Sequence, residues 1–119
     1  RPPFNLPPGA IAAGISALND EKHLNKVVNH NSNIKLWFID ELNKLGFKAY
    51  KTQTNFIFVI IPEKKNQNAS LINDYLISKG IAVRYLLSYG LKNALRITLG
   101  TKKELSKTLE VLKEFVKND

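Results

Sequence analysis

Gly80-Ile-Ala-Val-Arg84-Tyr-Leu-Leu-Ser-Tyr-Gly90-Leu-Lys-Asn-Ala-Leu-Arg96-Ile-Thr-Leu-Gly-Thr101 is the stretch that decides how this chain folds. Its two apolar runs, 81–87 and 94–99, read as strands, and Ser-Tyr-Gly between them reads as a turn. Each run carries one arginine. In the second, period-two alternation sets Leu95, Ile97 and Leu99 on one face and Ala94, Arg96 and Thr98 on the other. In the first, Ile81, Val83 and Tyr85 share a face, leaving Ala82, Arg84 and Leu86 opposite. An alanine precedes each arginine by two residues, which leaves room around both guanidinium groups. A lone strand arginine is ordinarily a side chain whose charge snorkels to water. Two planar, permanently charged forks leaving adjacent strands on the same side are different: they form a site for a carboxylate or a phosphate.

Outward from this segment, Thr101-Lys-Lys-Glu104 is a capping box that opens a last helix carrying Leu105, Leu109, Leu112, Phe115 and Val116 on one face. Upstream, Leu71, Ile72, Tyr75 and Leu76 mark a short helix closed by Gly80. Residues 47–51 and 55–61 read as two strands, the second apolar on both faces and therefore expected to be central and covered on both sides. Before them, Asp20 is the expected N-cap of a long helix ending near Leu45, with Gly46 as its stop. Leu24, Val27, Val28, Ile34, Trp37, Phe38 and Leu42 recur along it at three- and four-residue steps. The proline-rich lead at 1–8 must be extended, and Pro8 suits the first turn of a helix through Ile11, Ile15 and Leu18. The order helix-helix-strand-strand-helix-strand-strand-helix predicts an α+β fold: a mostly antiparallel sheet of about four strands with helices on one side.

The 119 residues fit one domain, 1–119, with 44% apolar and 24% charged residues. Net charge is +8, but the lysines are scattered, and a solvated basic surface is the first reading. No run is long enough to span a membrane. Without cysteine there is no disulfide or thiolate site, and His23 and His30 stand too far apart to share a metal, so no metal site is expected. No glycine-rich phosphate loop and no Ser/His/Asp or Cys/His arrangement is present, so the chain reads as a binder without its own catalytic group. A chain that opens Arg-Pro-Pro and contains no methionine is expected to be part of a longer one. Phe56 and Phe58 share a strand face; core packing is the expected role, and the rival reading is a basic α+β module that stacks RNA bases.

Arg1-Pro-Pro-Phe-Asn, the alanine-rich 10–18, Asn55-Phe56, Gly80-Ile-Ala-Val-Arg84 and Tyr89-Gly-Leu-Lys-Asn-Ala-Leu-Arg96-Ile-Thr-Leu-Gly-Thr101 together resemble the C-terminal part of the histidinol-phosphate aminotransferases. These are class I/II aminotransferases of pyridoxal-phosphate fold type I. The resemblance implies that the chain is the small domain, with 1–20 the connecting segment from a large domain. It implies a substrate-binding role for Arg96, on the amino donor's carboxylate and the acceptor's phosphate, and for Arg84 on the phosphate. It further implies histidine biosynthesis with glutamate as donor, a cytoplasmic homodimer, and no nucleic-acid or membrane partner. Relatives acting on aromatic amino acids or on a phosphorylated threonine are the enzyme alternatives. The cofactor, pyridoxal 5'-phosphate, belongs to the intact enzyme. The resemblance implies that its Schiff-base lysine lies upstream of Arg1; no lysine here sits in a matching context, and the chain alone is expected to be inactive.

Overall fold

In the computed structural model of the chain, which describes residues 5–117, two compact units divide between His30 and Asn31. Residues 1–4 of the expected extended lead at 1–8, and with them the whole of Arg-Pro-Pro-Phe, lie outside the described residues. In the first unit, Pro8 opens helix α1 (Pro8–Asn19), where its missing N–H is no loss. The carbonyl of Pro7 accepts from Ala10 and Ile11. Asp20 then ends α1 and caps α2 (Glu21–Lys44), its carboxylate accepting from the His23 N–H at 2.9 Å. The apolar residues of this unit, Ile11, Ile15, Leu18, Leu24, Val27 and Val28, are exposed. The regular spacing that predicts a helix holds; burial of its N-terminal half does not follow from it.

The second unit begins within α2, whose Ile34, Phe38 and Leu42 are buried. Strands β1 (Lys48–Tyr50), β2 (Phe56–Ile60), β3 (Arg84–Tyr85) and β4 (Ala94–Thr98) form one sheet in the order β1-β2-β4-β3. Every pairing is antiparallel. Helices α3 (Ala69–Ser78) and α4 (Lys102–Lys117) complete the predicted order. Ile57, Val59, Leu95, Ile97 and Leu99 from the sheet join Phe38, Leu42, Ile72, Leu76, Leu105, Leu109 and Leu112 from the helices in a single core. This is the expected α+β layer. One expectation fails: β2 is central but its two faces are unequal. Ile57 and Val59 are buried, while Phe56, Phe58 and Ile60 are only half-buried, because the core helices pack on the other face.

Both predicted glycine stops are real and share one device. Gly46 (φ +82°) and Gly80 (φ +75°) adopt the left-handed conformation just past α2 and α3. The next N–H reaches back to the helix each time: Phe47 to the Leu42 carbonyl, and Ile81 to that of Leu76. A side chain is disfavoured at such a φ. The capping box also forms, with the Glu104 carboxylate accepting from the Thr101 N–H at 2.8 Å and from its hydroxyl at 2.7 Å. Asn68 caps α3 by accepting from the Leu71 N–H. Between helices, Lys113 of α4 pairs with Glu41 of α2 at 3.2 Å, and Lys44 pairs with the same carboxylate at 2.9 Å.

Gly46→Ala and Gly80→Ala should each lower unfolding free energy by about 1–2 kcal/mol in urea titrations. Gly14→Ala, in α1 with open space around its Cβ position and no positive φ, should be neutral or stabilising by up to about 1 kcal/mol. Hydrogen bonds from Lys44 and then Lys113 hold the Glu41 carboxyl below its ordinary range. A carboxyl depressed in the folded state contributes stability above its unfolded pKa and loses it as pH falls through the folded one. Glu41→Gln should therefore lower the urea midpoint at pH 7, and the difference from the parent should shrink as pH falls through the folded-state pKa of Glu41.

Candidate functional site

Three features carry Arg84 and Arg96 to one place. The alternation of β4 buries Leu95 and Ile97 and sends Arg96 to the uncovered face. The core likewise takes Ile81, Val83 and Tyr85, which leaves Arg84 exposed on that same face. In the β3–β4 register Arg84 and Arg96 are then direct cross-strand partners. Side chains so paired have Cβ atoms about 4.5–5.5 Å apart. The structure thus brings the two predicted residues together, side by side and pointing the same way.

The strand itself is shorter than the run 81–87 suggests. The Ile81 N–H is committed to α3, so the chain joins the sheet only at Arg84. After Tyr85 it bends into a 3-10 turn at Leu87–Tyr89, closed by Gly90. Loop 86–93 is tied down at several points. The Tyr85 hydroxyl donates to the Lys92 carbonyl at 2.9 Å, the Leu86 N–H to that of Ala94, and the Ile61 N–H to that of Asn93. Glu63 receives both the Lys92 ammonium at 3.4 Å and the Asn93 amide at 3.3 Å. The register that pairs the arginines is held by this clip.

One row crosses all four strands on the uncovered face: Tyr50 opposite Phe58, Phe58 opposite Arg96, Arg96 opposite Arg84. Its first half is aromatic, with the Tyr50 and Phe58 rings 5.8 Å apart, and its second half is cationic. The Arg96 guanidinium leans diagonally onto the Phe56 ring, 5.0 Å from its centroid. Sequence reasoning assigned Phe56 and Phe58 to the core. They lie on the other face, because in a strand apolar at every position alternation gives no sign of which face is covered. Among the described residues neither arginine takes part in an ion pair, and no strand contains an acidic residue. Like charges directly opposite one another destabilise a sheet unless something of opposite sign joins them.

The model of the aminotransferase class I and II family matches residues 1–112. The chain belongs to that family. Among curated relatives of this aminotransferase chain, histidinol-phosphate aminotransferase of Nitrobacter hamburgensis is 35% identical over 84 residues, which are 71% of this chain and 23% of that protein. The enzyme of the same name from Methanococcoides burtonii is 40% identical over 82 residues, 69% of this chain and 21% of that protein. The chain therefore spans under a quarter of the length of these relatives. A crystal structure of histidinol-phosphate aminotransferase from Sinorhizobium meliloti, in complex with pyridoxal-5'-phosphate, matches 92% of this chain and 30% of its own, with a TM-score of 0.80 and 26% identity. That from Clostridium acetobutylicum matches 92% of this chain and 33% of its own with a TM-score of 0.81; at 24% identity it supports the fold alone.

Lys35, the buried lysine, has its ammonium committed to the Thr52 carbonyl at 2.8 Å. Two outward guanidinium groups set side by side present donor geometry suited to a carboxylate or a phosphate. Arg84→Gln, which removes half of the like-charge pair, should raise stability by a few tenths of a kcal/mol at low ionic strength. The gain should vanish near 1 M NaCl, where screening acts over about 3 Å, as read from urea unfolding at both salts.

Proposed function

We propose that this chain is the C-terminal small domain of a pyridoxal-phosphate-dependent aminotransferase most like the histidinol-phosphate enzymes. The intact enzyme, a cytoplasmic homodimer, would move an amino group from glutamate to a phosphorylated imidazole-bearing ketone. Pyridoxal 5'-phosphate supplies the amino-transfer chemistry, and its binding residues are assigned to sequence outside this chain. Arg96 holds the donor's carboxylate and shares the acceptor's phosphate; Arg84 completes the phosphate end. Their task is proximity: two forks on a rigid sheet hold the anionic end of a substrate while its other end is offered to the catalytic groups.

The observation that carries this reading is the direct cross-strand pairing of two uncompensated arginines. A bound carboxylate or phosphate supplies the missing negative charge and accepts the bidentate donors that the protein leaves unused. Family membership supports a small-molecule anion over a nucleic acid.

In the enzyme that contains this chain, Arg96→Ala should lower kcat/KM for the amino donor roughly ten- to hundredfold, the weight of a charged hydrogen-bonded contact. The visible absorbance of the bound cofactor should stay intact. Unchanged kinetics would sink the anion role, and an upstream sequence with no lysine after a strand would sink the aminotransferase mechanism.

A further inference from the structure

We propose that Phe56 is a positioning residue for the anion site, its ring fixing the Arg96 guanidinium so that the fork stays open to a carboxylate or phosphate. The inference rests on the reading of Arg96 as an anion-binding residue. Four observations carry it. The Arg96 Cζ lies 5.0 Å from the Phe56 ring centroid, within reach of the attraction between a cation and the negative face of a ring. The contact is diagonal: the direct cross-strand partner of Arg96 is Phe58, and that ring is already engaged with Tyr50. Thr98, the partner of Phe56, is small enough to leave the ring face accessible. Finally, β2 lies on the side of β4 away from β3, so leaning on Phe56 carries the Arg96 charge away from Arg84.

The chemistry of the contact matters as much as its position. A carboxylate in the place of Phe56 would also hold the guanidinium, but it would take up the N–H donors that the substrate needs. A ring attracts the cation through its π face and accepts none of those bonds in the ordinary sense. The side chain is thereby ordered in advance while its donors remain free, which reduces the ordering cost of binding. Arg84 has no such support among the described residues. The two arginines are therefore unequal, with Arg96 held ready and Arg84 free to adapt.

The test uses the 15N-labelled full chain, whose three arginines give separable Nε–Hε signals, with inorganic phosphate as the probe. In the parent, the Arg96 Hε signal should be displaced by the Phe56 ring current and should shift on phosphate addition. Phe56→Leu should abolish the displacement and raise the apparent phosphate Kd roughly two- to fivefold, the weight of an exposed cation–π contact. Phe56→Tyr should restore both. If Arg96→Gln binds phosphate as the parent does, the anion reading itself is lost. If Arg96→Gln loses phosphate while Phe56→Leu keeps the parent Kd, the anion site stands and the role of Phe56 is overturned. Should Phe56→Leu fail to fold, the parent spectrum still decides: an Arg96 Hε signal undisplaced by the ring overturns the proposal.

Discussion

The pairing of β2 with β4 is the constraint on which the rest of the second unit depends. Five consecutive positions are in register, from Phe56 opposite Thr98 to Ile60 opposite Ala94. Because side chains alternate, a slip of one residue would turn Arg96 into the core and Leu95 and Ile97 out of it. Burying an unpaired guanidinium costs several kcal/mol, and exposing two core side chains adds a similar amount. The register is thus set by what the helices bury, and the direction of Arg96 follows from a hydrophobic decision made on the opposite face. β3 then needs only two paired residues, since the clip through Tyr85, Lys92 and Asn93 limits where it can attach.

That dependence explains which parts were legible in the sequence. Residues 94–99 alternate cleanly between apolar and polar or small side chains, so both the strand and the outward direction of Arg96 could be read directly. Gly46, Gly80, Asp20 and the Thr101–Glu104 box are local devices, complete within a few residues, and each acts where its chemistry predicts. The run Asn-Phe-Ile-Phe-Val-Ile-Ile is different. With apolar side chains at every position it fixes a strand but not a face, and the exposure of Phe56 and Phe58 depends on which side the helices occupy. The length of β3 was hidden for a related reason: it is limited by the exit of α3, where the Ile81 N–H is already spent on Leu76.

The candidate site follows the same division. Its two arginines could be named from alternation alone, and family resemblance gave them roles. Their direct opposition is a property of register between strands separated by an eight-residue connection, so no local pattern contains it. Phe56 was missed because an aromatic residue in an apolar strand looks like core. Only the diagonal geometry across β2 and β4 shows the ring beneath a charge.

The cross-strand pair also gives meaning to how the chain chooses its cations. From Lys22 to Lys117, histidines aside, every basic side chain except Arg84 and Arg96 is a lysine. On the helices, where charge serves mainly to keep a surface hydrated, a compact ammonium on a flexible stem is sufficient, and it makes the ion pairs of α2 and α4. On the sheet face a lysine would preserve net charge, solubility and the repulsion across β3 and β4, yet lose the flat, two-toothed geometry. A charge-conserving exchange at either position would therefore keep the net charge while removing the fork that a ligand reads. Lys48 shares the uncovered face from β1, yet the two cations that face each other across β3 and β4 are both arginine, where shape as well as charge is on offer.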